Sequence, residues 1–319
     1  MGEKFIDSIS FSFIMVVTPA DFYIAIYSIK ALKKIIGIKN IKIKIFANGL
    51  TRLQENKISF IIRKWNNVTL DSNRKYIAQN KKEIQSGIGR TFYDEYGRPE
   101  LREGLCEPCG SVWERELLKF NSDFVGMIDA DFEILDSTFF LKMINDLNKN
   151  PNIGIYSSDF TEKTEYNNTY TTLDNTYSSS KTILMPRYHT WFCVYKRELL
   201  NIDSDFSYLE EKKGNILYTY DHTAKLQEKF INNYNVESRY SGLETYWCYL
   251  HYGAFAKNQT LKGFTLFFYR ILRLGKHNSF KHIINLPILN RKLYWICRRI
   301  FLKLNYKKYD RERMKHAWQ

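Results

Sequence analysis

The chain has 319 residues, of which 44% are hydrophobic and 16% aromatic, and it carries a net charge of +14. This composition is ample for a large hydrophobic core, and it argues against a disordered protein or a repeat array. No run of 18 apolar residues is present, and the N-terminus lacks the layout of a signal peptide. We therefore expect no membrane-spanning helix and no export, and we interpret the five scattered cysteines as reduced thiols in the cytoplasm.

The positive charge is concentrated near the C-terminal end. Residues 270–319 hold 14 Lys and Arg against two acidic residues, a net charge of +12, whereas the other 269 residues carry 34 basic against 32 acidic residues. A basic segment of this kind attracts anionic lipid or nucleic acid.

The first 70 residues alternate between strand-like and helix-like patterns. The patterns predict strands at 9–17, 41–50 and 68–70 and helices at 19–37 and 51–65. The second helix opens on a capping box formed by Thr51 and Gln54. A β-α-β-α-β order predicts a parallel sheet, with ligands bound outside the carboxyl ends of its strands.

Residues 71–110 show no clear period, and regular patterns then resume. The later predicted elements are a helix at 111–120, a strand at 123–128, a helix at 137–147, a strand at 152–159, a loop at 161–181, a strand and helix at 190–200, a helix at 220–234 and an extended aromatic segment at 242–255.

Asp129 and Asp131 follow the strand predicted at 123–128. Side chains one residue apart on a strand point the same way, so these two carboxylates would repel each other. A divalent cation such as Mg²⁺ or Mn²⁺ removes the conflict, because hard cations prefer carboxylate oxygens. Aspartate is also common where strands turn into loops. The position at the carboxyl end of a sheet strand favours the metal site.

The basic C-terminal segment also carries an apolar stripe at helical spacing. Its members are Leu293, Ile296, Cys297, Ile300, Phe301 and Leu304. Together with the aromatic segment 264–274, this pattern predicts a pair of helices that lie in the plane of an anionic membrane. The alternative is a stripe that packs on the rest of the protein.

In this order, the segments resemble family 2 glycosyltransferases of the GT-A fold. The resemblance rests on IMVVTPADF, IFANGL, MIDAD, YTYDHTAKLQEKF and YLHYGAF, and it covers about residues 9–257. The chain departs from the family where Tyr220-Asp221 replaces a pair of acids and where the Gly-Gly-Phe-Asp stretch is missing.

The resemblance implies an α/β protein of the GT-A class, a Rossmann-like, mostly parallel sheet flanked by helices. The charge and the apolar stripe add a C-terminal basic amphipathic helical extension. The catalytic domain would span 1–262, with a nucleotide-sugar half at about 1–131 and an acceptor half at about 132–262. The extension would span 263–319.

The resemblance also implies a metal site for Mn²⁺ or Mg²⁺. Asp129, Asp131 and His251 would be its ligands, and His251 has the alternative of packing within an aromatic cluster. Asp221 would be the general base, with Glu244 as its rival. The alternative for Asp221 is an acid that the dipole favours at a helix N-terminus.

Donor and acceptor residues follow from the same resemblance. The donor site would use Thr18, Pro19, Asp21, Asn48, Arg115 and Asp129, and the acceptor would meet Tyr188 and Trp191. Structural alternatives remain for these residues: a helix cap for Asp21, a turn for Asn48, a solvated helix face for Arg115 and ordinary packing for the two aromatic residues.

The implied function is transfer of a sugar from a nucleotide diphosphate sugar, with a UDP-sugar favoured. A glycan or lipid-linked acceptor in cell-surface polysaccharide synthesis would receive it with inversion, in the cytoplasm at the inner face of the membrane. Two other classes stay open: a nucleic-acid-binding protein or two-metal nucleotidyltransferase, and a GT-A-like binding domain without catalysis. We do not expect nucleic acid as a partner, because the sequence has no RNA-binding aromatic signature and no zinc pattern.

Overall fold

The structure is a computed structural model. It describes residues 9–19, 21–38, 40–73, 92–93, 99–100, 107, 109–167, 170–171, 177–178, 181–206, 209–234, 236–242, 245 and 248–251. The basic helices predicted at 263–319 and the rival base Glu244 lie outside the described residues.

Five α-helices and nineteen strands are described. The helices are α1 (Phe22–Ala31), α2 (Arg52–Ile62), α3 (Cys109–Leu117), α4 (Thr138–Lys149) and α5 (Ala224–Tyr234), with 3₁₀ turns at Leu32–Lys34 and Arg197–Leu199. The strands are β1 (Phe11–Val17), β2 (Ile41–Asn48), β3 (Val68–Asn73), β4 (Phe92–Tyr93), β5 (Pro99–Glu100), β6 (Phe124–Ile128), β7 (Phe132–Ile134), β8 (Ile153–Ser157), β9 (Phe160–Thr161), β10 (Thr164–Asn167), β11 (Tyr170–Thr171), β12 (Tyr177–Ser178), β13 (Lys181–Leu184), β14 (Arg187–Tyr188), β15 (Phe192–Lys196), β16 (Leu209–Lys213), β17 (Ile216–Tyr220), β18 (Glu237–Tyr240) and β19 (Tyr249–His251).

A seven-stranded sheet in the order β18-β8-β15-β6-β1-β2-β3 forms the centre of the protein. Its strands are parallel except β15, which runs antiparallel to both β6 and β8. From β1 the chain proceeds outward to β2 and β3, and it then returns to β6 on the other side of β1. This reversal is the kind of switch point at which open α/β sheets bind ligands.

Helices cover both faces of this sheet. Alternate side chains of β1 enter two hydrophobic clusters, with Met15 and Val17 in the first and Ile14 and Val16 in the second. The first cluster includes apolar residues of α1, α2 and α4, and the second includes those of α3 and α5. The predicted class, a mostly parallel sheet flanked by helices, is confirmed.

Gly126 allows β6 to approach β15 closely. It lies opposite Val194, and a Cβ atom at this position would stand 2.1 Å from the carbonyl oxygen of Cys193. Only glycine fits this contact without a shift of the backbone. This close contact fixes the position of β6 relative to β15. It therefore also fixes the position of the residues that follow β6.

The capping box predicted for Thr51 and Gln54 is present. Other elements differ from the sequence prediction. The helix predicted at 19–37 is α-helical only over Phe22–Ala31. The loop predicted at 161–181 contains the short strands β10, β11 and β12, because its threonines and tyrosines are good strand formers despite their polarity. Of the described helices, none is long and apolar enough to cross a membrane.

Glu116 of α3 is a buried acid that ties the helix to the sheet. Its carboxylate accepts from Lys119 Nζ at 2.7 Å, from Lys44 Nζ of β2 at 2.9 Å and from Arg115 Nε at 3.0 Å. Burial alone would raise the pKa of Glu116, but the three hydrogen bonds outweigh burial and hold the pKa at about 2. The pair with Lys44 joins α3 to β2.

We expect Glu116→Gln to lower the free energy of unfolding by up to about 3 kcal/mol at pH 7. Because the pKa of the folded state lies below that of the unfolded chain, this contribution is present above about pH 4.5. It is lost as the pH falls toward 2. Urea unfolding of both proteins from pH 7 to pH 2 should show the difference shrinking over that interval.

The matched control is Glu198→Gln, which removes a 67% exposed carboxylate that pairs with Lys196. An exposed pair contributes about 0–1 kcal/mol, so this variant should unfold nearly as the wild type does. A pH-independent difference for Glu116→Gln would contradict the assignment.

Candidate metal centre and active site

Asp129 and Asp131 lie directly after β6, at the switch point of the central sheet. The backbone N–H of Asp129 donates to the carbonyl oxygen of Trp191 at 2.8 Å, and the N–H of Phe132 donates to the carbonyl oxygen of Asp129 at 3.0 Å. The second bond closes a tight turn from β6 into β7, and the first ties this turn to the residue before β15. The turn holds both carboxylates at the carboxyl end of the sheet, where the sequence predicted them.

His251 is brought to these aspartates by strand pairing. Strand β19 pairs antiparallel with β7, so that His251 lies opposite Phe132. The Nε2 atom of His251 is 3.2 Å from Oδ1 of Asp131 and 3.9 Å from Oδ2 of Asp129. One ligand atom from each of the three residues lies within 4.8 Å of the other two. The structure thus assembles the three residues that the family resemblance implied as metal ligands.

The chemistry of this cluster fits a divalent cation. Burial, followed by the charge of Asp131, raises the pKa of Asp129 to about 7, while the nearby His251 and Arg187 act in the opposite direction. Asp129 still exposes 26% of its side chain, so an ion can reach it. Two carboxylates and an imidazole form an oxygen and nitrogen donor set that suits Mn²⁺ or Mg²⁺. A bound cation would also relieve the repulsion between the carboxylates.

Trp191 is stacked between two histidines. The centre of its ring is 3.9 Å from that of His189 on one side and 3.9 Å from that of His251 on the other, with interplanar angles of 17° and 20°. Nε2 of His189 is 2.7 Å from the hydroxyl of Thr161. Both faces of the indole are covered, so the structure favours packing over the predicted sugar stacking. In this position Trp191 fixes the plane of the His251 ring.

Tyr188, the other predicted acceptor residue, is only 3% exposed and belongs to the second hydrophobic cluster. Its hydroxyl accepts a hydrogen bond from the side chain of Ser238 at 2.9 Å. The structure therefore also favours ordinary packing for Tyr188.

Three predicted donor residues, Thr18, Pro19 and Asp21, follow β1 on the other side of the switch point. Asp21 occupies the N-cap position of α1, but its carboxylate makes no capping bond and accepts instead from Thr18 Oγ1 at 2.6 Å. Burial raises the pKa of Asp21 to about 7, and the charges of Asp131 and Asp129 add to this effect. Because β1 and β6 are parallel neighbours, Asp21 follows β1 at the same edge of the central sheet as Asp129 and Asp131.

Asn48 and Arg115 are both engaged by Glu107. Asn48 is fully buried, and its amide donates to the backbone oxygen of Glu107 at 2.7 Å while accepting from its backbone N–H at 3.1 Å. Arg115 forms ion pairs with the carboxylates of Glu107 and Glu116. These contacts give both residues a structural role. The contact of Asn48 and Arg115 with a donor stays a prediction.

Asp221 follows β17 and forms an ion pair with Arg187. Oδ2 of Asp221 is 2.7 Å from Nη2 of Arg187, and its Oδ1 accepts from the backbone N–H of His222 at 2.8 Å. The charge of Arg187 lowers the pKa of Asp129, and that of Asp221 raises it. Sequence reasoning missed Arg187, which lies in the segment RYHTWF between two short strands and belongs to no recognised motif.

No protein-family model and no curated protein matches the sequence. Solved structures that are similar include the mannosyltransferase Ktr4p from S. cerevisiae, with 11% identity and a TM-score of 0.33, over 62% of this chain and 59% of that one. Glucosyl-3-phosphoglycerate synthase from Mycobacterium tuberculosis, solved with Mn²⁺, UDP and glucosyl-3-phosphoglycerate, has 11% identity and a TM-score of 0.38, over 79% and 77% of the chains.

TarS from S. aureus, solved over residues 1–349, has 13% identity and a TM-score of 0.34, over 92% of this chain and 80% of that one. The matched structures are GT-A glycosyltransferases, the family that the sequence resembles. The matched region spans less than two thirds of the Ktr4p chain.

We expect the wild-type protein to bind Mn²⁺ and Asp131→Asn to bind it at least about 10-fold more weakly, because even residues around a ligand contribute that much to metal affinity. Electron paramagnetic resonance of free Mn²⁺ measures the loss of signal on binding. Asp123→Asn is the matched control, since Asp123 lies at the opposite end of β6 and bonds to Ser10. Equal affinity in wild type and Asp131→Asn would reject the metal site.

Proposed function

We propose that the protein is a metal-dependent glycosyltransferase that takes a sugar from a nucleotide diphosphate sugar, with a UDP-sugar favoured. The observation that carries this proposal is the cluster of Asp129, Asp131 and His251 at the switch point of a mostly parallel sheet. Ligands of such sheets bind at this place, and a donor with a diphosphate needs a cation there.

Mn²⁺ or Mg²⁺ is the proposed cofactor, and it would supply Lewis-acid neutralisation of the diphosphate leaving group. Asp129, Asp131 and His251 would hold it. The imidazole favours Mn²⁺, since nitrogen ligands suit transition metals better than Mg²⁺. Thr18, Pro19 and Asp21 border the same cluster after β1, in a position to meet the base and ribose of the donor.

The proposed transfer is inverting, with Asp221 as general base. An oxygen of the acceptor hydroxyl forms a bond to the anomeric carbon, the bond from that carbon to the diphosphate breaks, and the diphosphate leaves with the electron pair. Asp221 accepts the hydroxyl proton. Its side chain is 37% exposed, so an acceptor can reach it.

The proposed acceptor is a glycan or a lipid-linked glycan of the cell surface, and the proposed location is the cytoplasmic face of the membrane. The support is the net charge of +12 over residues 270–319 and the apolar stripe in the same segment. Anionic lipid attracts such a segment electrostatically, and the stripe adds burial of apolar surface.

A panel of nucleotide sugars tests the proposed donor. One of them should raise the melting temperature in the presence of Mn²⁺ and not in the presence of EDTA, because ligand at about 100 times its Kd stabilises the folded state by about 2.7 kcal/mol. Transfer of its sugar should also require the metal. A protein that binds no nucleotide sugar in Mn²⁺ would refute the proposal.

The variant Asp221→Asn tests the proposed general base in the same transfer assay. Turnover should fall by about 100-fold or more, the scale of general base catalysis. Donor affinity should be largely retained, because asparagine keeps an oxygen that accepts from Arg187. Normal turnover in Asp221→Asn, with Glu244→Gln inactive, would assign the base to Glu244. A wild-type protein that binds the donor without transferring its sugar would be a GT-A-like binding domain.

Sedimentation with liposomes tests the membrane proposal. The full chain should co-sediment with phosphatidylserine-containing vesicles and not with phosphatidylcholine vesicles, and the charge reversal Arg298→Glu/Arg299→Glu should weaken binding, since each basic residue contributes about 1 kcal/mol. High salt should weaken but not abolish the interaction, because it screens charge and spares the stripe. Preference for RNA over vesicles at physiological salt would favour the nucleic-acid alternative.

A further inference from the structure

We propose that the outward face of α2 is a docking surface for an anionic lipid membrane. The face consists of Leu53, Lys57 and Phe60 on α2 and of Lys64 directly after it. It is separate from the basic segment at 270–319, on which the proposed location rests. The inference does not depend on the identity of the reaction.

Two large apolar side chains on this face are exposed to solvent. Leu53 is 79% exposed and Phe60 is 63% exposed. They are seven residues apart, so two turns of the helix bring them onto the same side of α2. The opposite side packs on the central sheet, where Ile58 and Ile62 are buried. A single exposed apolar residue is ordinary on a protein surface, whereas an aligned pair can be covered by one flat partner.

Basic residues surround this apolar pair, and no exposed acid of α2 offsets them. The only acidic residue of the helix, Glu55, is buried. Four exposed basic residues lie on the face or at its borders: Arg52, Lys57, Arg63 and Lys64. None of the four forms an ion pair with any residue that the structure describes. Their charges are therefore available to an anionic partner.

The contact of Arg63 with Phe60 does not remove Phe60 from solvent. The Cζ atom of Arg63 lies 4.1 Å from the centre of the Phe60 ring, yet the side chain of Phe60 keeps its high exposure. Lysine and arginine keep their charged heads in a polar layer while their methylene stems cover apolar surface. The stems of Lys57 and Lys64 thus extend the apolar area of the face, and their charges match lipid phosphate.

The part of the chain that carries α2 is strongly basic as a whole. Residues 9–73 contain ten Lys and Arg against three acidic residues, a net charge of +7. The exposed residues Lys30, Lys33 and Lys34 lie at the end of α1 and in the 3₁₀ turn after it. Because α1 packs beside α2 on the same face of the central sheet, these charges belong to the same layer of helices. Such a layer attracts an anionic surface.

The charge of the face also selects its partner. A symmetric dimer through α2 would bring the same basic face against itself. The segment 270–319, with its net charge of +12, would be repelled in the same way. Nucleic acid offers phosphates, but its phosphate backbone gives Leu53 and Phe60 no apolar medium. An anionic bilayer supplies both a negatively charged surface and an apolar layer beneath it.

Sedimentation of the full chain with phosphatidylserine-containing vesicles tests the charge of the face. The variant Lys57→Glu/Lys64→Glu should bind at least about 25-fold more weakly than the wild type, because each basic residue near an anionic surface contributes about a factor of five. The matched control is Lys212→Glu/Lys213→Glu on β16, which makes the same change of charge at two exposed lysines of the four-stranded sheet. This control should bind nearly as the wild type does.

The variant Leu53→Ser/Phe60→Ser tests the apolar contact and leaves the charge unchanged. It should bind the same vesicles at least about 10-fold more weakly, because the two side chains no longer contribute the free energy of their burial in lipid. Its melting temperature should stay close to that of the wild type, since both side chains are exposed in the protein. The matched control is Ile202→Ser/Tyr234→Ser, at residues that are 82% and 48% exposed outside α2.

A tryptophan on the face reports the contact directly. The variant Phe60→Trp should gain fluorescence that brominated lipid in the vesicles quenches, because quenching requires contact with the acyl chains. The variant Tyr234→Trp should gain fluorescence that the same lipid does not quench.

Wild-type affinity in both α2 variants, or equal losses in the control variants, would overturn the inference. A wild-type protein that does not bind the vesicles, or that prefers RNA to them at physiological salt, would also overturn it. Loss of self-association in Leu53→Ser/Phe60→Ser with unchanged vesicle binding would assign the face to a second copy of the chain instead. Vesicle binding that depends on α2 in a protein that binds no nucleotide sugar would reject the proposed function and leave this inference standing.

Discussion

The repulsion among carboxylates at one edge of the central sheet is the constraint on which the rest of the site depends. Asp129 and Asp131 are held together by a turn, and Asp21 adds a third carboxyl group from the neighbouring strand β1. Burial and mutual repulsion raise the pKa of Asp129 and Asp21 to about 7. The sheet thus keeps these groups in an unfavourable arrangement that a divalent cation makes favourable, and the hydrophobic clusters on its two faces supply the stability that holds it.

The architecture delivers these groups from distant parts of the sequence. The switch point places the residues after β1 beside those after β6, although more than a hundred residues separate them. The pairing of β19 with β7 adds His251 by the same means. Each contribution comes from the end of a strand, so strand pairing, together with the turn after β6, sets the distances between the ligand atoms.

Local sequence patterns predicted those strands and helix ends that depend on interactions between residues close together in the sequence. Apolar runs located the strands β1, β2, β6 and β8, and Thr51 with Gln54 located the start of α2, because burial and capping act over a few residues. The spacing of Asp129 and Asp131 after a strand predicted that their side chains point in the same direction. Patterns did not reveal the strands within 161–181, since those residues are polar and show no alternation of apolar and polar side chains.

The same limit applies to Arg187 and Trp191. The contacts of Arg187 with Asp221 and His222, and the stacking of Trp191 between two imidazoles, join residues that no short motif connects. The roles of Arg187 and Trp191 depend on which strands pair with one another, and this pairing cannot be read from a short stretch of sequence. The aromatic side chain of Trp191 suggested either sugar stacking or ordinary packing, and the structure places its indole between the rings of His189 and His251.

The five residues 187–191 therefore form the scaffold between the two parts of the site. At one end, the side chain of Arg187 pairs with Asp221, and at the other, the carbonyl oxygen of Trp191 accepts from the N–H of Asp129. Between them, Gln227 fixes the backbone of Tyr188, and His189 supports the indole of Trp191. The proposed base and the proposed metal ligands are thus positioned by one short segment. A displacement of this segment would move both at once, so the packing of this segment on α5 helps to set the distance between Asp221 and Asp129.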